Sequence, residues 1–195
     1  MARPADPDRR ARTLAAAADY VLGHGLAGLS LRPLAAALGT STRMLLYDFG
    51  SKEELITEVL AEIRRRESAM LAEHAGITGT SGTGLVRAVW DWISAAERAP
   101  FLRLFFEVHV AAMAHPDAYP ERGRAMVTDW LDQFGAALAG SSADSASATL
   151  VIAALRGLLL DRLSTGDEER TDRALDRFAR LLDDAGRRGT PCSGR

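Results

Sequence analysis

Two short segments with helical spacing of apolar residues are separated by only three residues, Gly39, Thr40 and Ser41. The first segment, about 31–38, ends at Gly39, because glycine readily takes the left-handed conformation that closes a helix. The second segment, about 42–49, follows Ser41, a side chain that can cap the free backbone amides at the start of a helix. Two short helices joined by a three-residue turn that contains glycine describe a helix-turn-helix. The same pattern also fits an ordinary hairpin of helices within a bundle.

The second helix of such a motif supplies the contacts to DNA, since its N-terminal residues meet base edges in the major groove. Arg43 can contact guanine through two hydrogen bonds or bind a phosphate, whereas Thr42 and Met44 can contact a thymine methyl group. Tyr47 and Lys52 are expected to flank the groove and hold phosphates. The predicted DNA-binding residues are Arg32, Thr40, Ser41, Thr42, Arg43, Met44, Tyr47 and Lys52.

The composition favours helices throughout the chain. Alanine and leucine, both strong helix formers, occur 35 and 26 times, against eight valines and five isoleucines, which favour strands. No segment alternates apolar and polar residues in the manner of a strand. We therefore expect an all-α protein, with helices at about 9–22, 31–38, 42–49, 51–74, 85–98, 101–115, 121–139, 144–164 and 168–184.

Charge is distributed unevenly along the chain. Residues 1–52 hold seven basic and four acidic side chains, a net of +3, while residues 53–195 hold 17 basic and 22 acidic ones, a net of −5. A basic N-terminal part suits a surface that faces nucleic acid, although a difference of this size is weak evidence by itself.

Several functional classes lack the residues they need. Cys192 is the only cysteine, and the four histidines have no second ligand at metal spacing, so neither a metal nor a cofactor is expected. No nucleophile elbow, phosphate-binding glycine loop or dinucleotide fingerprint is present, which argues against an enzyme. No apolar run can span a bilayer and no secretory leader is recognisable, so a cytoplasmic protein without a membrane partner is expected.

The run ALGTSTRMLLYDFGSKEEL at residues 37–55 resembles the signature of the tetracycline-repressor (TetR) family. In that family the recognition helix ends in an aromatic-x-His-Phe stretch, and a Ser-Lys-Glu-x-Leu run opens the fourth helix. The one lysine, Lys52, falls where the family places its phosphate-binding lysine. The resemblance covers residues 9–66 closely.

The resemblance implies a division of the chain into functional parts. It predicts a three-helix helix-turn-helix domain at 1–50, a helical-bundle domain for effector binding and dimerisation at 51–185, and a disordered tail at 186–195. It also implies a homodimeric regulator, a repressor that releases a palindromic double-stranded DNA operator when a small hydrophobic molecule binds. A helix-turn-helix regulator without such an effector is the main alternative, and a purely structural helical bundle is a more distant one.

The chain departs from the family signature at two positions. Leu46 stands where the family usually has tyrosine, and Asp48 stands where it usually has histidine. If Asp48 lies near a phosphate, repulsion would weaken binding, and Asp48→His would strengthen it. Alternatively, Asp48 pairs with an arginine or caps a backbone amide, and the substitution would then weaken binding.

Aromatic side chains are concentrated in the central helices, where the family places its effector pocket. Bundles commonly bind ligands in apolar cavities between helices, although core packing explains any single aromatic residue equally well. Among nearby polar residues, His109, Glu107 and Arg156 could orient a ligand. The predicted ligand-binding residues are Trp90, Phe101, Phe105, Phe106, His109, Met113, Trp130, Phe134 and Arg156.

The two C-terminal helices predict a dimer. The helix at about 144–164 is nearly apolar all round, so it must lie in the centre of a monomer or pack against a second subunit. Helix-turn-helix proteins usually bind two half-sites as twofold dimers, and the TetR family forms its dimer as a four-helix bundle from the two last helices. The predicted interface residues are Leu155, Leu158, Leu159, Leu175, Phe178 and Leu182.

Overall fold

The computed structural model describes residues 7–74, 82–114 and 145–189, and all regular secondary structure in these three ranges is helical. The expectation of an all-α chain is thereby confirmed. Across the described ranges, no helix is both long and apolar enough to cross a membrane. The helices are α1 (Pro7–His24), α2 (Leu31–Ala37), α3 (Thr42–Phe49), α4 (Lys52–Glu73), α5 (Gly82–Ile93), α6 (Ala99–Ala114), α7 (Ser145–Thr165) and α8 (Glu168–Gly189), with a 3-10 turn at Ala96–Arg98.

The chain forms two compact units. Of the described residues, 7–70 and 100–114 belong to the first unit, while 71–74, 82–99 and 145–189 belong to the second. Helix α6 and most of α4 are thus packed with the three N-terminal helices. These units are defined by packing alone, and the predicted division at residue 50 into functional domains stays a prediction.

The first unit has a continuous apolar core, because each of its helices carries apolar residues at spacings of three or four. The stripe of α1 is fully buried and consists of the small residues Ala17, Ala18 and Val21, which leave room for larger partners. Those partners come from the other helices of the unit. They include Leu34, Leu45, Phe49, Leu55, Val59, Leu60, Ile63, Leu104, Phe105 and Val108.

A cap fixes the start of α4 directly after the helix-turn-helix. The amide of Glu54 donates to Oγ of Ser51 at 3.0 Å, and the Ser51 hydroxyl donates to the Glu54 carboxylate at 3.1 Å. Ser51 therefore caps the amide of Glu54, and the Glu54 carboxylate in turn accepts from the Ser51 hydroxyl, a variant of the standard capping box, in which that carboxylate binds the backbone amide of the cap residue. Gly50 precedes this cap with φ +82°, and a Cβ at this position would collide with the Glu54 carboxylate.

In the second unit, α8 packs against both α5 and α7. The buried face of α7 comprises Val151, Leu155 and Leu159, at a spacing of four, and α8 contributes Leu175 and Ala179. On α8 the apolar face is narrow and most of the remaining residues are charged.

Some predicted boundaries differ from the structure. The predicted helix 85–98 ends at Ile93, and after a 3-10 turn a new helix begins at Ala99, with Pro100 in its first turn, where no backbone donor is needed. Helix α8 continues to Gly189, so the predicted disordered tail is wrong for residues 186–189. The predicted helix 121–139 lies outside the described residues.

Candidate nucleic-acid interface

Helices α2 and α3 pack against each other across a turn that contains Gly39 at φ +65°. Ser41 has an extended backbone and caps α3, its Oγ accepting a hydrogen bond from the amide of Met44 at 3.2 Å. Leu45 and Phe49 of α3 are buried, as predicted for the inward side of this helix. The opposite side of α3 is left for contacts with another molecule.

The eight predicted DNA-binding residues all lie at the surface of the first unit. Arg32, Ser41, Arg43 and Tyr47 are exposed, whereas Thr40, Thr42, Met44 and Lys52 are half-buried. Within the described part of the chain, no carboxylate pairs with the guanidinium of Arg43 or the ammonium of Lys52, so both remain available for a phosphate or a base. The Ser41 hydroxyl accepts one bond as a cap and keeps its own proton to donate.

Sequence reasoning missed one residue of this surface. Leu46 is exposed on α3, three residues after Arg43 and next to Tyr47, which is 61% exposed. These three side chains share one face of the helix, because residues three and four apart are neighbours on a helix surface. The spacing of three residues from Arg43 is the sequence signal that indicates Leu46 as part of this surface.

Asp48 is turned away from this surface and pairs with an arginine of α1. Nη1 and Nη2 of Arg9 donate to the two carboxylate oxygens of Asp48 at 2.8 and 2.6 Å, and the Asp48 side chain is 3% exposed. Nε of Arg10 donates to the Asp48 carbonyl at 3.0 Å, while its Nη2 binds Glu58 of α4 at 2.6 and 2.8 Å. The expectation that Asp48 repels a phosphate is wrong, because its charge is neutralised inside the domain.

The N-terminal part of the chain also matches a known family. The family profile for bacterial regulatory proteins of the tetR family matches residues 14–59, which contain the helix-turn-helix described above. This segment has the DNA-binding helix-turn-helix of the TetR family. The predicted family resemblance is thereby confirmed, and the chain is similar to the DNA-binding transcription regulators of that family.

Solved structures resemble most of the chain. A putative TetR-family transcriptional regulator from Rhodococcus sp. is 20% identical, with coverage of 90% of this chain and 98% of that one, and a TM-score of 0.70. The TetR-family member SCO1917 from Streptomyces coelicolor A3 is 27% identical, with coverage of 88% and 98% and a TM-score of 0.66. The multidrug binding protein EbrR, complexed with imidazole, is 28% identical, with coverage of 88% and 95% and a TM-score of 0.64. No curated protein matches the chain.

The predicted ligand-binding residues divide between the two units. On α6, Phe105 stacks on His109 at 6.1 Å between ring centroids and meets Phe106 edge-on at 5.2 Å. Phe101, four residues before Phe105, lies 6.3 Å from it. Met113, further along α6, is exposed. The structure therefore brings four predicted residues of α6 together, with Phe101 and Phe105 buried.

The remaining predicted ligand-binding residues lie elsewhere. In the second unit, Nε1 of the buried Trp90 donates to Asp172 at 2.8 Å, which ties α5 to α8. Arg156 of α7 is half-buried. Trp130 and Phe134 lie outside the described residues. Trp90 also lines a cavity of about 400 Å³ that sequence reasoning missed, because its polar wall comes from α5, α7 and α8 together.

Glu107 of α6 has a different role from the one expected. Its carboxylate accepts hydrogen bonds from the amide of Leu26, at 3.0 and 2.9 Å, and from the amide of Ala27. These amides lie in the turn between α1 and α2, where Gly25 has φ +74° and a Cβ would approach the carboxylate to 2.7 Å. Glu107 thus holds the turn that precedes the helix-turn-helix, and the expectation that it orients a ligand has no support.

The predicted dimer residues separate into two groups. Leu155, Leu159 and Leu175 are buried by the packing of α7 on α8 within one chain. Leu158, Phe178 and Leu182 are half-buried. The opposite face of α7 is exposed and apolar, with Leu150 and Leu160 as its large members and Ala153 and Gly157 between them. That face is the part of α7 that one chain leaves uncovered.

Proposed function

We propose that this regulator is a ligand-responsive repressor, with residues 1–50 binding a palindromic operator and residues 51–185 binding a small hydrophobic effector and a second subunit. The observation that carries the proposal is the outward face of α3. There Arg43, Leu46 and Tyr47 are exposed side by side on a helix whose other face is fixed to the core. In this proposal the regulator acts in the cytoplasm. It binds a promoter through this surface and thereby represses transcription.

The ligand response is supported by relatives that bind small molecules. EbrR, a multidrug binding protein, has been crystallised with imidazole, with proflavin and with malachite green, and it is 25–28% identical to this chain in these structures. The aromatic group on α6 is a suitable wall for a compound of this kind, because aromatic and apolar side chains line most small-molecule sites. An effector releases the operator only if it binds more tightly to the conformation that does not fit DNA.

The dimer is supported by the uncovered face of α7. Leu150, Ala153, Gly157 and Leu160 follow at intervals of three and four, which is the seam of a helix that packs lengthwise against another helix. Leu181 of α8 is also exposed. In this proposal Leu158, Phe178 and Leu182 join the interface, whereas Leu155, Leu159 and Leu175 support it from within each subunit.

Selection of binding sites from random double-stranded DNA tests the operator half of the proposal. The expected result is a palindrome whose half-sites are separated by about one or more helical turns, roughly 34 Å each. A selected site without twofold symmetry would contradict the proposed dimeric binding. Release is then measured by fluorescence anisotropy of the labelled operator with proflavin and with hydrophobic compounds of different charge. If no compound releases the operator, the regulator without an effector becomes the better proposal.

A further inference from the structure

Arg156 of α7 differs from Arg162 and Arg170, two arginines on the same pair of helices. Arg162 pairs with Asp172 at 2.8 Å and with Glu168 at 3.1 Å, and Arg170 pairs with Asp161 at 2.6 Å. By contrast, Nε of Arg156 is excluded from solvent and has no hydrogen-bond partner, and no carboxylate within the described ranges pairs with its guanidinium. Burial also lowers the pKa of the Arg156 side chain.

The surroundings of Arg156 on its own helix are apolar. Ile152 and Leu163, four residues before and seven residues after it, share its face of α7. The Nε–H of Arg156 is withdrawn from water without an acceptor, which costs free energy, and such a group in a native protein calls for a physical explanation. A ligand that accepts a hydrogen bond from this Nε–H explains it.

We propose that Arg156 binds the acidic group of the effector, and that the effector is a lipophilic carboxylate. The planar guanidinium offers parallel donors that match the two oxygens of a carboxylate, and the flanking Ile152 and Leu163 suit an apolar body. This inference rests on the proposed ligand response, and it adds a chemical class to an effector that was so far only hydrophobic. Arg156 would then make the site selective for negatively charged effectors.

The probes are decanoate and decanol, which share an alkyl chain and differ in charge, with proflavin as a cationic comparison. Binding is measured by thermal shift and by calorimetry on the full-length protein without DNA. Decanoate is expected to stabilise the wild type at millimolar concentration, and decanol and proflavin to do so much less. The inference is overturned if decanoate gives no stabilisation, or if decanol or proflavin stabilises the protein as strongly.

Arg156→Met removes the charge and keeps the length of the side chain. It is expected to weaken decanoate binding by roughly tenfold to a hundredfold, the range that follows from losing a charge-assisted hydrogen bond, and to leave decanol unaffected. Arg156→Lys keeps the charge without the planar guanidinium, and its affinity for decanoate is expected to lie between those of the wild type and Arg156→Met. This variant replaces Arg156→Met in the test if the methionine variant folds poorly. Arg177→Met, at an exposed position of α8, is the matched control. Unchanged decanoate binding in the Arg156 variants would overturn the inference.

Operator release, measured separately by anisotropy, distinguishes a failure of the carboxylate site from a failure of the proposed ligand response. Decanoate that binds through Arg156 without releasing the operator supports the carboxylate site and contradicts the proposed ligand-responsive repression. Release by decanol or proflavin that Arg156→Met leaves unchanged supports the repression and overturns the carboxylate site.

Discussion

Arg9 and Asp48 form a two-bonded ion pair that ties the first turns of α1 to the last turn of α3, with distances of 2.8 and 2.6 Å. Because α3 carries the side chains that we propose to face DNA, this pair fixes the direction in which they point. Arg10 strengthens the same junction, since its guanidinium lies 4.7 Å from the centre of the Phe49 ring while it binds Glu58 of α4. The domain therefore uses two arginines of α1 for its own structure.

Asp48→Ala is expected to lower the free energy of unfolding by about 1–3 kcal/mol, because it removes the two hydrogen bonds that the buried carboxylate accepts from Arg9. Operator affinity should fall at low and at high salt alike, since the effect is on the position of α3. Urea unfolding and anisotropy measure the two quantities. Asp19→Ala, which removes an exposed carboxylate with the same change in net charge, is the control and should cost less.

A double-mutant cycle that combines Asp48→Ala with Arg9→Gln measures the interaction energy of the Arg9–Asp48 pair. The decrease in the free energy of unfolding should be clearly smaller in the double variant than the sum of the decreases in the two single variants, because both substitutions break the same interaction. Simple additivity, or tighter operator binding by Asp48→His, would show that Asp48 acts on DNA and not on Arg9.

Arg43→Ala and Lys52→Ala should have different consequences for DNA recognition. If Arg43 makes two hydrogen bonds to guanine, its loss costs about 1–3 kcal/mol and relaxes the base preference at one position. Loss of Lys52 should weaken binding to all sequences alike and reduce the slope of log affinity against log salt by about one. Titrations with the selected operator and a scrambled one, at several salt concentrations, measure both effects. A change of base preference in Lys52→Ala alone would mean that α3 is oriented differently on DNA.

Gly25→Ala should destabilise the protein more than Gly28→Ala does. Both glycines have positive φ, +74° and +72°, so both variants bear the strain of a left-handed backbone, about 1–2 kcal/mol. Only at position 25 does the new Cβ meet the Glu107 carboxylate, because Gly28 has no atom within 4 Å of its Cβ position. The difference between the two variants in urea unfolding reports this contact.

The same difference should shrink when Glu107 is changed to alanine in both variants, since the contact is then absent. Glu107→Ala alone should cost stability, because the amides of Leu26 and Ala27 lose their acceptor. An equal cost at positions 25 and 28 in the wild-type background would exclude the close approach of Glu107 to this turn.

Leu160→Glu should convert the proposed dimer to monomers without unfolding the subunit. Leu160 is 49% exposed in the single chain, so a charge there costs little until a partner covers it. Leu155→Ala is the contrasting variant: it creates a cavity in the subunit core and should lower the stability of each subunit by about 2–5 kcal/mol. Sedimentation velocity and circular dichroism distinguish the two results. A dimer that persists in Leu160→Glu would place the interface elsewhere.

The parts of the fold that local sequence determines were predictable. The bounds of α3 follow from Ser41 at one end and Gly50 at the other, and both act within a few residues of their own position. The pairs Arg9–Asp48 and Glu107–Leu26 join residues 39 and 81 positions apart, so no local pattern indicates them. The sequence alone therefore could not choose between a phosphate and an arginine as the group that Asp48 faces, and it could not indicate the contact of Glu107 with Leu26.

The exposed side of α7 could not be predicted for a related reason. Apolar residues of α7 itself lie on nearly every side of the helix, so its sequence does not indicate which leucines face α8 and which remain uncovered. Only the packing against α8 separates Leu155 and Leu159 from Leu150 and Leu160. The sequence predicts either a central position in a monomer or a partner for this helix, and the exposed face of α7 is the one we propose for the partner.

Glu62 should make the stability of the protein sensitive to acid. Hydrogen bonds from Arg65 and then Arg66, opposed by partial burial, lower the pKa of the Glu62 carboxyl from 4.5 to about 2. Since the folded pKa lies below the unfolded one, the stabilisation is complete above about pH 4.5 and is lost as the pH falls toward about 2. Glu62→Gln should therefore lower the urea midpoint at neutral pH and reduce the further fall of that midpoint in acid. Glu73→Gln, at an exposed carboxylate of the same helix, is the control for net charge. Parallel acid profiles of the wild type and Glu62→Gln would show that another carboxylate governs the acid sensitivity.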